Sequence, residues 1–201
     1  TIAAILMKQQ SPLIVDEITL PKTLNFGQVL VRIDYSGICG SQLGEIDGVK
    51  GEDKYLPHLL GHEGAGEVLD CGPQVEHVKS GDSVVLHWRP GKGIQAPTPS
   101  YTWKEKTLNA GHVTTFNQHA IVSENRLTVI PKDFPKDIAT LFGCAVTTGF
   151  GVITNNAQIR IGQSILVYGA GGIGLNIIQA AAMTAAHPII AIDRIDKKLE
   201  L

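Results

Sequence analysis

One stretch near the end of the sequence constrains the fold more than any other. A compact apolar run at 164–168 is followed by the turn Gly-Ala-Gly-Gly-Ile-Gly at 169–174 and by an apolar, helix-forming segment to about residue 186. A second apolar run, 188–192, then ends at an aspartate. Strand, glycine turn, helix and strand in this order predict a right-handed, parallel βαβ unit.

The glycine turn has the spacing of a dinucleotide-binding site. Gly169 permits a tight turn, Gly171 lets the backbone approach a pyrophosphate, and Gly174 lets the helix pack closely on the strand. Gly172 and Ile173 stand at the start of the helix, where unsatisfied N–H groups and the helix dipole favour an anion. The alternative is a glycine-rich turn in a cofactor-free α/β protein, and the correct order of the flanking elements argues against it.

The residues after the second apolar run bear on which dinucleotide is preferred. Asp193 ends that run, where a carboxylate accepts hydrogen bonds from a ribose diol and repels a 2′-phosphate. Arg194 complicates the preference, because a guanidinium group binds phosphate well. The sequence therefore predicts NAD, with NADP as the less favoured cofactor.

The first two thirds of the sequence have a different character. Short apolar runs are separated by turns rich in glycine, proline and aspartate, at 29–35, 65–69, 83–87 and 120–123. This pattern is typical of an irregular, mostly-β barrel or sandwich. The stretch 89–111 carries three prolines and no clear period, so it is predicted to be a long surface loop. The apolar stretch 138–155 is helix-compatible, although its glycines weaken that prediction.

Composition limits the range of partners and compartments. Seventeen basic and 19 acidic residues give a net charge of -2, which offers no electrostatic reason to bind nucleic acid or an anionic membrane. No apolar run is long enough to cross a membrane, and the N-terminus lacks a secretory signal pattern. Cys39, Cys71 and Cys144 are widely spaced and odd in number, which favours reduced thiols and a cytoplasmic protein.

Three residues form a candidate metal site. Cys39 follows the run 29–35, His62 precedes the run 65–69, and Cys144 lies within the helix-compatible stretch. Two thiolates and one imidazole suit a tetrahedral Zn²⁺ whose fourth position stays open for water or substrate. Each residue taken alone is more often part of an ordinary core, and spacing alone does not show that three such distant residues converge.

Taken together, the motifs resemble those of the zinc-containing alcohol dehydrogenases of the medium-chain dehydrogenase/reductase family. The resemblance extends along essentially the whole chain and rests on Gly-Ile-Cys39-Gly-Ser41, Leu60-Gly-His62-Glu63-Gly-Ala-Gly66, Gly143-Cys144-Ala-Val-Thr-Thr148-Gly and the glycine turn. It implies a mixed α/β fold: a GroES-like, mostly-β catalytic domain at 1–135, followed at 136–201 by the first βαβ unit of an incomplete Rossmann NAD(P)-binding domain.

The resemblance also implies roles at the metal. Cys39, His62 and Cys144 would hold one catalytic Zn²⁺, and Glu63 would lie behind these ligands or serve as an alternate ligand. Ser41 would take the substrate proton.

Further roles follow at the cofactor. Thr148 would contact the nicotinamide end, Asp193 would bind the adenosine ribose, and Lys198 is a weaker candidate for the same ribose. The complete chain is expected to be a homo-oligomer, either a dimer or a tetramer.

This sequence departs from the family pattern at two places. Gln42 stands where the family usually has an aspartate, and a carboxylate there would orient and polarise the metal-bound histidine better than an amide does. Glu45 is close in sequence and is the alternative partner for that histidine. No cysteine occurs in 89–111, where many relatives carry four for a structural zinc, so no structural zinc is expected.

The expected function is zinc-dependent hydride transfer between a small-molecule alcohol, or its aldehyde or ketone, and NAD. Two alternatives stay open. One is a zinc-free reductase relative, which the presence of all three ligand residues disfavours. The other is a truncated, non-catalytic fragment or a pseudoenzyme, since a two-stranded parallel sheet would leave an edge and an apolar face uncovered.

Overall fold

The computed structural model describes residues 1–200. Contacts divide the chain into two compact units, one ending at Gly143 and one beginning at Cys144. The first unit is mostly β and the second contains the βαβ element, so the mixed α/β fold predicted from the sequence is confirmed.

Ten strands form two five-stranded sheets in the first unit. In chain order they are β1 (Ile2–Leu6), β2 (Ile14–Glu17), β3 (Gln28–Ser36), β4 (His58–Leu59), β5 (Glu63–Cys71), β6 (Ser83–His87), β7 (Ser100–Trp103), β8 (Lys106–Asn109), β9 (His119–Ser123) and β10 (Leu127–Val129). One sheet has the order β2-β1-β4-β8-β7 and the other the order β10-β6-β5-β3-β9.

The second sheet buries one face against the core, because apolar residues alternate along its strands. In β3, Val29 and Val31 point to the same face and are fully buried, because side chains alternate between the two faces of a strand. They pack in one apolar cluster with Val68 of β5 and Leu86 of β6. A Cβ added at Gly66 of β5 would overlap the carbonyl oxygen of Arg32, so only glycine fits where the two strands approach.

The predicted loop at 89–111 is correct only in part. Residues 89–99 contain no helix or strand, but β7 and β8 form a hairpin whose two turn residues, Lys104 and Glu105, have positive φ. Tyr101 and Leu108 are buried in the core of the first unit. Tyr101 and Trp103 alternate with exposed residues in β7, but this short period-2 pattern lies within a loop-like composition. The prediction of a continuous surface loop was therefore wrong for 100–109.

Two short helices also belong to the first unit. Helix α1 (Gly40–Ile46) begins directly after Cys39, and α2 (Lys136–Thr140) continues into a 3₁₀ turn, Leu141–Gly143. Both α2 and this turn contact β5 and β6. The compact unit therefore extends beyond the predicted domain boundary at residue 135.

The second unit contains the βαβ element. Helix α3 (Ala145–Gly151) continues into a π-helical segment, Val152–Ala157, and is followed by β11 (Ile165–Tyr168), α4 (Gly172–Met183) and β12 (Ile189–Ile192). Strands β11 and β12 pair in parallel, as predicted. Ile153, Ala180, Ala181 and Ala186 form the buried core of this unit. After β12 the residues Asp196–Lys198 form a single 3₁₀ turn, and Leu201 lies outside the described residues.

Among residues 1–200, no single helix is long and apolar enough to cross a membrane. One bent pair, Lys136–Gly143 with Ala145–Ala157, reaches the required length and apolar composition only when its two parts are combined.

Candidate metal and cofactor sites

Cys39 and His62 are brought together by the pairing of β3 and β5. The end of β3 lies against the start of β5, with Ser36 opposite Gly64. Cys39 follows the first strand and His62 precedes the second, so both side chains lie at the same end of the sheet. The Cys39 Sγ and a ring nitrogen of His62 are within 4.8 Å of each other.

His62 is oriented by a side chain from α1. The Gln42 amide nitrogen lies 2.5 Å from His62 Nδ1, and Gln42 is only 4% exposed. The other ring nitrogen, Nε2, is buried and has no hydrogen-bond partner among residues 1–200. Burial lowers the pKa of the His62 imidazole below its ordinary value and so favours the neutral ring.

This arrangement fits a metal ion. A buried nitrogen without a hydrogen-bond partner costs free energy, and a metal bound at Nε2 would satisfy it. A thiol beside an imidazole is the kind of donor set that Zn²⁺ prefers. With Nε2 bound to a metal, Nδ1 carries the proton, and the Gln42 amide oxygen then becomes the hydrogen-bond acceptor, because amide orientation is assigned from its partners.

Glu63 lies between two glycines that have no room for a side chain. A Cβ added at Gly37 would lie 2.8 Å from the Glu63 carboxyl carbon, and one added at Gly143 would lie 2.6 Å from the Glu63 Cα. The Gly143 carbonyl also accepts a hydrogen bond from the Trp88 N–H, at 3.4 Å. Gly143 is thus anchored against the start of β5, and Cys144 is the next residue in the chain.

The other two candidates in α1 lie in different surroundings. Ser41 is exposed in the first turn. Glu45 Oε1 lies 3.8 Å from His58 Nε2. The side chain that is hydrogen-bonded to His62 Nδ1 is Gln42. The sequence alternative in which Glu45 orients the histidine is therefore wrong.

In the second unit, the glycine turn has the geometry that the sequence predicted. Gly169 adopts φ +98°, which only glycine adopts readily. A Cβ added at Gly174 would overlap the carbonyl oxygen of Gly169, whereas one added at Gly171 would have no atom within 4 Å. Gly172 and Ile173 are the first residues of α4. The close packing thus requires Gly174, and the space beside Gly171 is open.

Asp193 lies beside this turn. Its carboxylate accepts hydrogen bonds from the N–H groups of Ala170, at 2.8 Å, and Ile195, at 3.0 Å. The Lys198 ammonium is 3.6 Å away, and Arg194 is exposed. The hydrogen bonds from Ile195 and Ala170 lower the pKa of Asp193, so the carboxylate is charged at neutral pH.

Thr148 and Cys144 are linked within α3. Cys144 is the residue before the helix and is 8% exposed. Its carbonyl accepts the Thr148 N–H at 2.9 Å. The Thr148 hydroxyl is buried and makes no hydrogen bond within the described part of the chain.

The sequence analysis did not identify one group of residues that could bind a metal ion. Glu45, Asp53 and His58 each place a ligand atom within 4.8 Å of the others. Nothing in their spacing indicates this, because a loop without regular structure separates Glu45 from Asp53 and both from β4. Only the fold brings them together.

The chain matches known proteins along its whole length. Residues 25–132 match the family described as the alcohol dehydrogenase GroES-like domain. The chain is 32% identical to the alcohol dehydrogenase class-3 of Cereibacter sphaeroides, over 100% of this chain and 60% of that protein. It is also 32% identical to the S-(hydroxymethyl)glutathione dehydrogenase of Saccharomyces cerevisiae, over 98% of this chain and 57% of that protein.

Solved structures agree with these matches. An alcohol dehydrogenase zinc-binding domain protein from Burkholderia ambifaria is similar with a TM-score of 0.89 at 27% identity, and the match covers 99% of this chain and 60% of that one. The benzyl alcohol dehydrogenase of Acinetobacter calcoaceticus matches over the same shares with a TM-score of 0.85 at 27% identity. The chain spans about 60% of the length of these relatives. It belongs to the zinc-containing, medium-chain alcohol dehydrogenase family.

Proposed function

We propose that the protein is a zinc-dependent oxidoreductase that transfers a hydride between an alcohol, or its aldehyde or ketone, and NAD. The observation that carries this proposal is the buried His62 Nε2, which lacks a hydrogen-bond partner among residues 1–200 and lies beside the Cys39 thiol. Family membership supports alcohol oxidoreduction in general, since the relatives carry the names of alcohol and S-(hydroxymethyl)glutathione dehydrogenases.

The proposed zinc ligands are Cys39, His62 and Cys144, with Glu63 behind them or as an alternate ligand. Support for the third ligand comes from Gly143, which is anchored against Glu63 and immediately precedes Cys144. We propose a single tightly held zinc, because residues 89–111 contain no cysteine for a structural site.

When bound, zinc supplies Lewis-acid chemistry toward an alcohol or carbonyl oxygen, and NAD supplies the hydride acceptor. The protein's own residues then have three tasks. Gln42 holds the His62 ring in one orientation. The exposed Ser41 hydroxyl takes the proton that leaves the alcohol and passes it to solvent or to the cofactor. Thr148, through its buried hydroxyl, contacts the nicotinamide end.

The proposed cofactor site is the glycine turn with α4. Open space beside Gly171 allows a pyrophosphate to approach the backbone, and the helix start favours its charge. Asp193 is charged and lies beside the turn, which favours the ribose diol of NAD over the 2′-phosphate of NADP. Lys198 and Arg194 are weaker candidates for contact with the adenosine end.

The remaining expectations are also proposals. The substrate is a small molecule, the complete protein is a cytoplasmic homo-oligomer of two or four chains, and neither nucleic acid nor membrane is a partner. We also propose the domain boundary that the sequence predicts, between residues 135 and 136. The first compact unit extends eight residues further, to Gly143.

Steady-state kinetics of the full-length protein test the proposal. We expect NAD reduction with primary or secondary alcohols, slower reduction of NADP, and loss of activity on zinc removal that added Zn²⁺ reverses. Ser41→Ala should lower kcat about 10²–10⁴-fold while zinc content is unchanged. Activity that survives complete zinc removal would instead indicate a zinc-free reductase, and no activity with any alcohol or carbonyl would refute the proposal.

A further inference from the structure

A second group of metal-binding side chains lies in the first unit, apart from Cys39 and His62. His58 of β4, Asp53 of the preceding loop and Glu45 of α1 each offer one ligand atom, and these atoms lie within 4.8 Å of one another. The His58 Nε2 is 2.7 Å from Asp53 Oδ2 and 3.8 Å from Glu45 Oε1. One imidazole and two carboxylates therefore converge on a small volume.

The His58 ring is held in a fixed orientation. It is only 7% exposed, and its Nδ1 lies 2.9 Å from the Leu59 carbonyl oxygen. A carbonyl and a carboxylate oxygen only accept, so Nδ1 donates to Leu59 and Nε2 donates to Asp53, and a cation bound at Nε2 would replace that second proton. This pattern, in which a backbone carbonyl fixes one ring nitrogen, is the one that metal-binding histidines usually show.

A single side chain organises the backbone of both acidic residues. The Gln9 amide nitrogen donates to the carbonyl oxygens of Gly51, at 2.9 Å, and Glu45, at 3.4 Å. Its amide oxygen accepts the Asp53 N–H at 3.2 Å. Gln9 thus links the end of α1 to the loop that carries Asp53, which holds the backbone of Glu45 and Asp53 in place.

The group opens onto a cavity that is also lined by His62. Glu45 and His58 line a cavity of about 630 Å³ together with Gln42 and Asn109. Gln42 contacts His62 in this wall, so its amide belongs to the His62 site and supplies no ligand to the group at His58. Glu45 and His58 can therefore be reached by an ion from this cavity.

We propose that Glu45, Asp53 and His58 bind an exchangeable divalent cation, such as Mn²⁺ or Zn²⁺, at the wall of this cavity. Carboxylate oxygens with one imidazole suit these ions, and the absence of thiolates separates this site from the one at Cys39 and His62. Ligand atoms at about 2.0–2.2 Å from an ion stand ~3.3 Å apart in a tetrahedron. Asp53 and His58 therefore move apart slightly on binding. The competing account is a simple ion pair between a protonated His58 and Asp53.

Titration of the full-length protein with Mn²⁺, followed by the electron paramagnetic resonance signal of the unbound ion, tests the proposal. Mn²⁺ is chosen because a site with two thiolates disfavours it. We expect saturable binding of one Mn²⁺ per chain, and displacement of that Mn²⁺ by Zn²⁺. Glu45→Gln and His58→Ala should each weaken binding by at least ~10-fold, and Gln9→Ala by ~10-fold through the lost support.

Matched controls keep the test independent of folding and of the proposed function. Glu52→Gln and His77→Ala change exposed residues of the same types and should bind Mn²⁺ as the wild type does. Cys39→Ser removes a proposed zinc ligand and should also leave Mn²⁺ binding unchanged. Glu45 is partly exposed, so Glu45→Gln remains informative if His58→Ala does not fold. Unsaturable binding in the wild type, or equal binding in Glu45→Gln and Glu52→Gln, would overturn the proposal in favour of the ion pair.

Discussion

The Gln42 amide lies 2.5 Å from His62 Nδ1, so an uncharged side chain orients the histidine that carries the unsatisfied Nε2. A carboxylate in that place would accept a hydrogen bond from Nδ1–H and raise the basicity of the ring. An amide oxygen also accepts that hydrogen bond, but it contributes only a dipole and no charge. The protein therefore keeps the geometry of the interaction and gives up part of its electrostatic strength.

Gln42→Asp should strengthen zinc binding, and Gln42→Ala should weaken it by ~10–100-fold, because partners of this kind fix the ring and tune its basicity. Competition with a calibrated chelator measures both dissociation constants in the full-length protein. Glu52→Gln, a change at an exposed glutamate, is the matched control and should leave this constant unchanged. An unchanged constant in both Gln42 variants would show that Gln42 has no role at the metal.

Two glycines of the proposed cofactor-binding turn, Gly171 and Gly174, should respond differently to substitution by alanine. A Cβ at Gly174 would overlap the Gly169 carbonyl oxygen, so Gly174→Ala should destabilise the fold by ~1–3 kcal/mol. Gly171 has open space beside it, so Gly171→Ala should leave the unfolding free energy unchanged. It should nevertheless weaken NAD binding by ~10-fold or more, a loss of ~1.4 kcal/mol, because the pyrophosphate can no longer approach the backbone.

Denaturant unfolding and calorimetric titration with NAD separate these two effects in the full-length protein. If Gly171→Ala bound NAD as tightly as the wild type, the dinucleotide would not lie against this turn.

The loop 89–99 is held in place by a buried carboxylate. Glu124 is 1% exposed. Its Oε1 accepts the N–H groups of Glu76 and His77, at 2.7 and 2.8 Å, and its Oε2 accepts the Ile94 N–H at 2.7 Å. Burial acts to raise the pKa of Glu124, but these hydrogen bonds outweigh it, and the net pKa is below the ordinary value of 4.5.

Glu124→Gln should lower the unfolding free energy by ~1–3 kcal/mol at neutral pH, because an amide leaves a buried N–H without its acceptor. A lowered pKa means that the carboxylate stabilises the fold above its unfolded-state pKa of 4.5, and that this contribution is lost as the pH falls through the folded-state value. The difference between wild type and Glu124→Gln should therefore shrink below about pH 4.5.

Denaturant unfolding from neutral pH down to about pH 3 provides the measurement, with the exposed turn residue in Glu105→Gln as control. A difference that stays constant with pH, or that grows on acidification, would contradict this role for the Glu124 carboxylate.

Local patterns in the sequence predicted the elements but not every contact between them. The βαβ unit was predictable because its strand, glycine turn and helix are adjacent in sequence and their glycines have distinct steric tasks. The β7–β8 hairpin was not predictable, because its few alternating apolar residues, such as Tyr101 and Trp103, lie within a stretch that contains three prolines. These strands could be recognised only in the folded structure, where their apolar side chains are buried in a core cluster.

The candidate metal site shows the same limit. Cys39 and His62 were recognisable as ligand types, but their proximity depends on the pairing of β3 with β5, which spacing does not reveal. Gln42 was predicted to face the histidine only through the family resemblance. A loop that is hydrogen-bonded to Gln9 brings Asp53 close to Glu45 and His58. No local pattern in the sequence predicts that these three residues lie close together.

Cys71 provides an internal control for the zinc proposal. Its thiol donates to the Val78 carbonyl oxygen at 3.6 Å, and burial, followed by nearby carboxylates, raises its pKa. A thiol that resists ionisation is a poor zinc ligand. Cys71→Ser should therefore keep the zinc that Cys39→Ser and Cys144→Ser lose.

Zinc content is the most direct test of the account. Full-length protein purified without chelator and passed through gel filtration should retain one zinc per chain by elemental analysis. The Cys39→Ser/Cys144→Ser double variant should retain essentially none, and Cys71→Ser should match the wild type. Wild-type protein without zinc, or a double variant that keeps its full zinc content, would contradict the proposal that these cysteines and His62 form a zinc site.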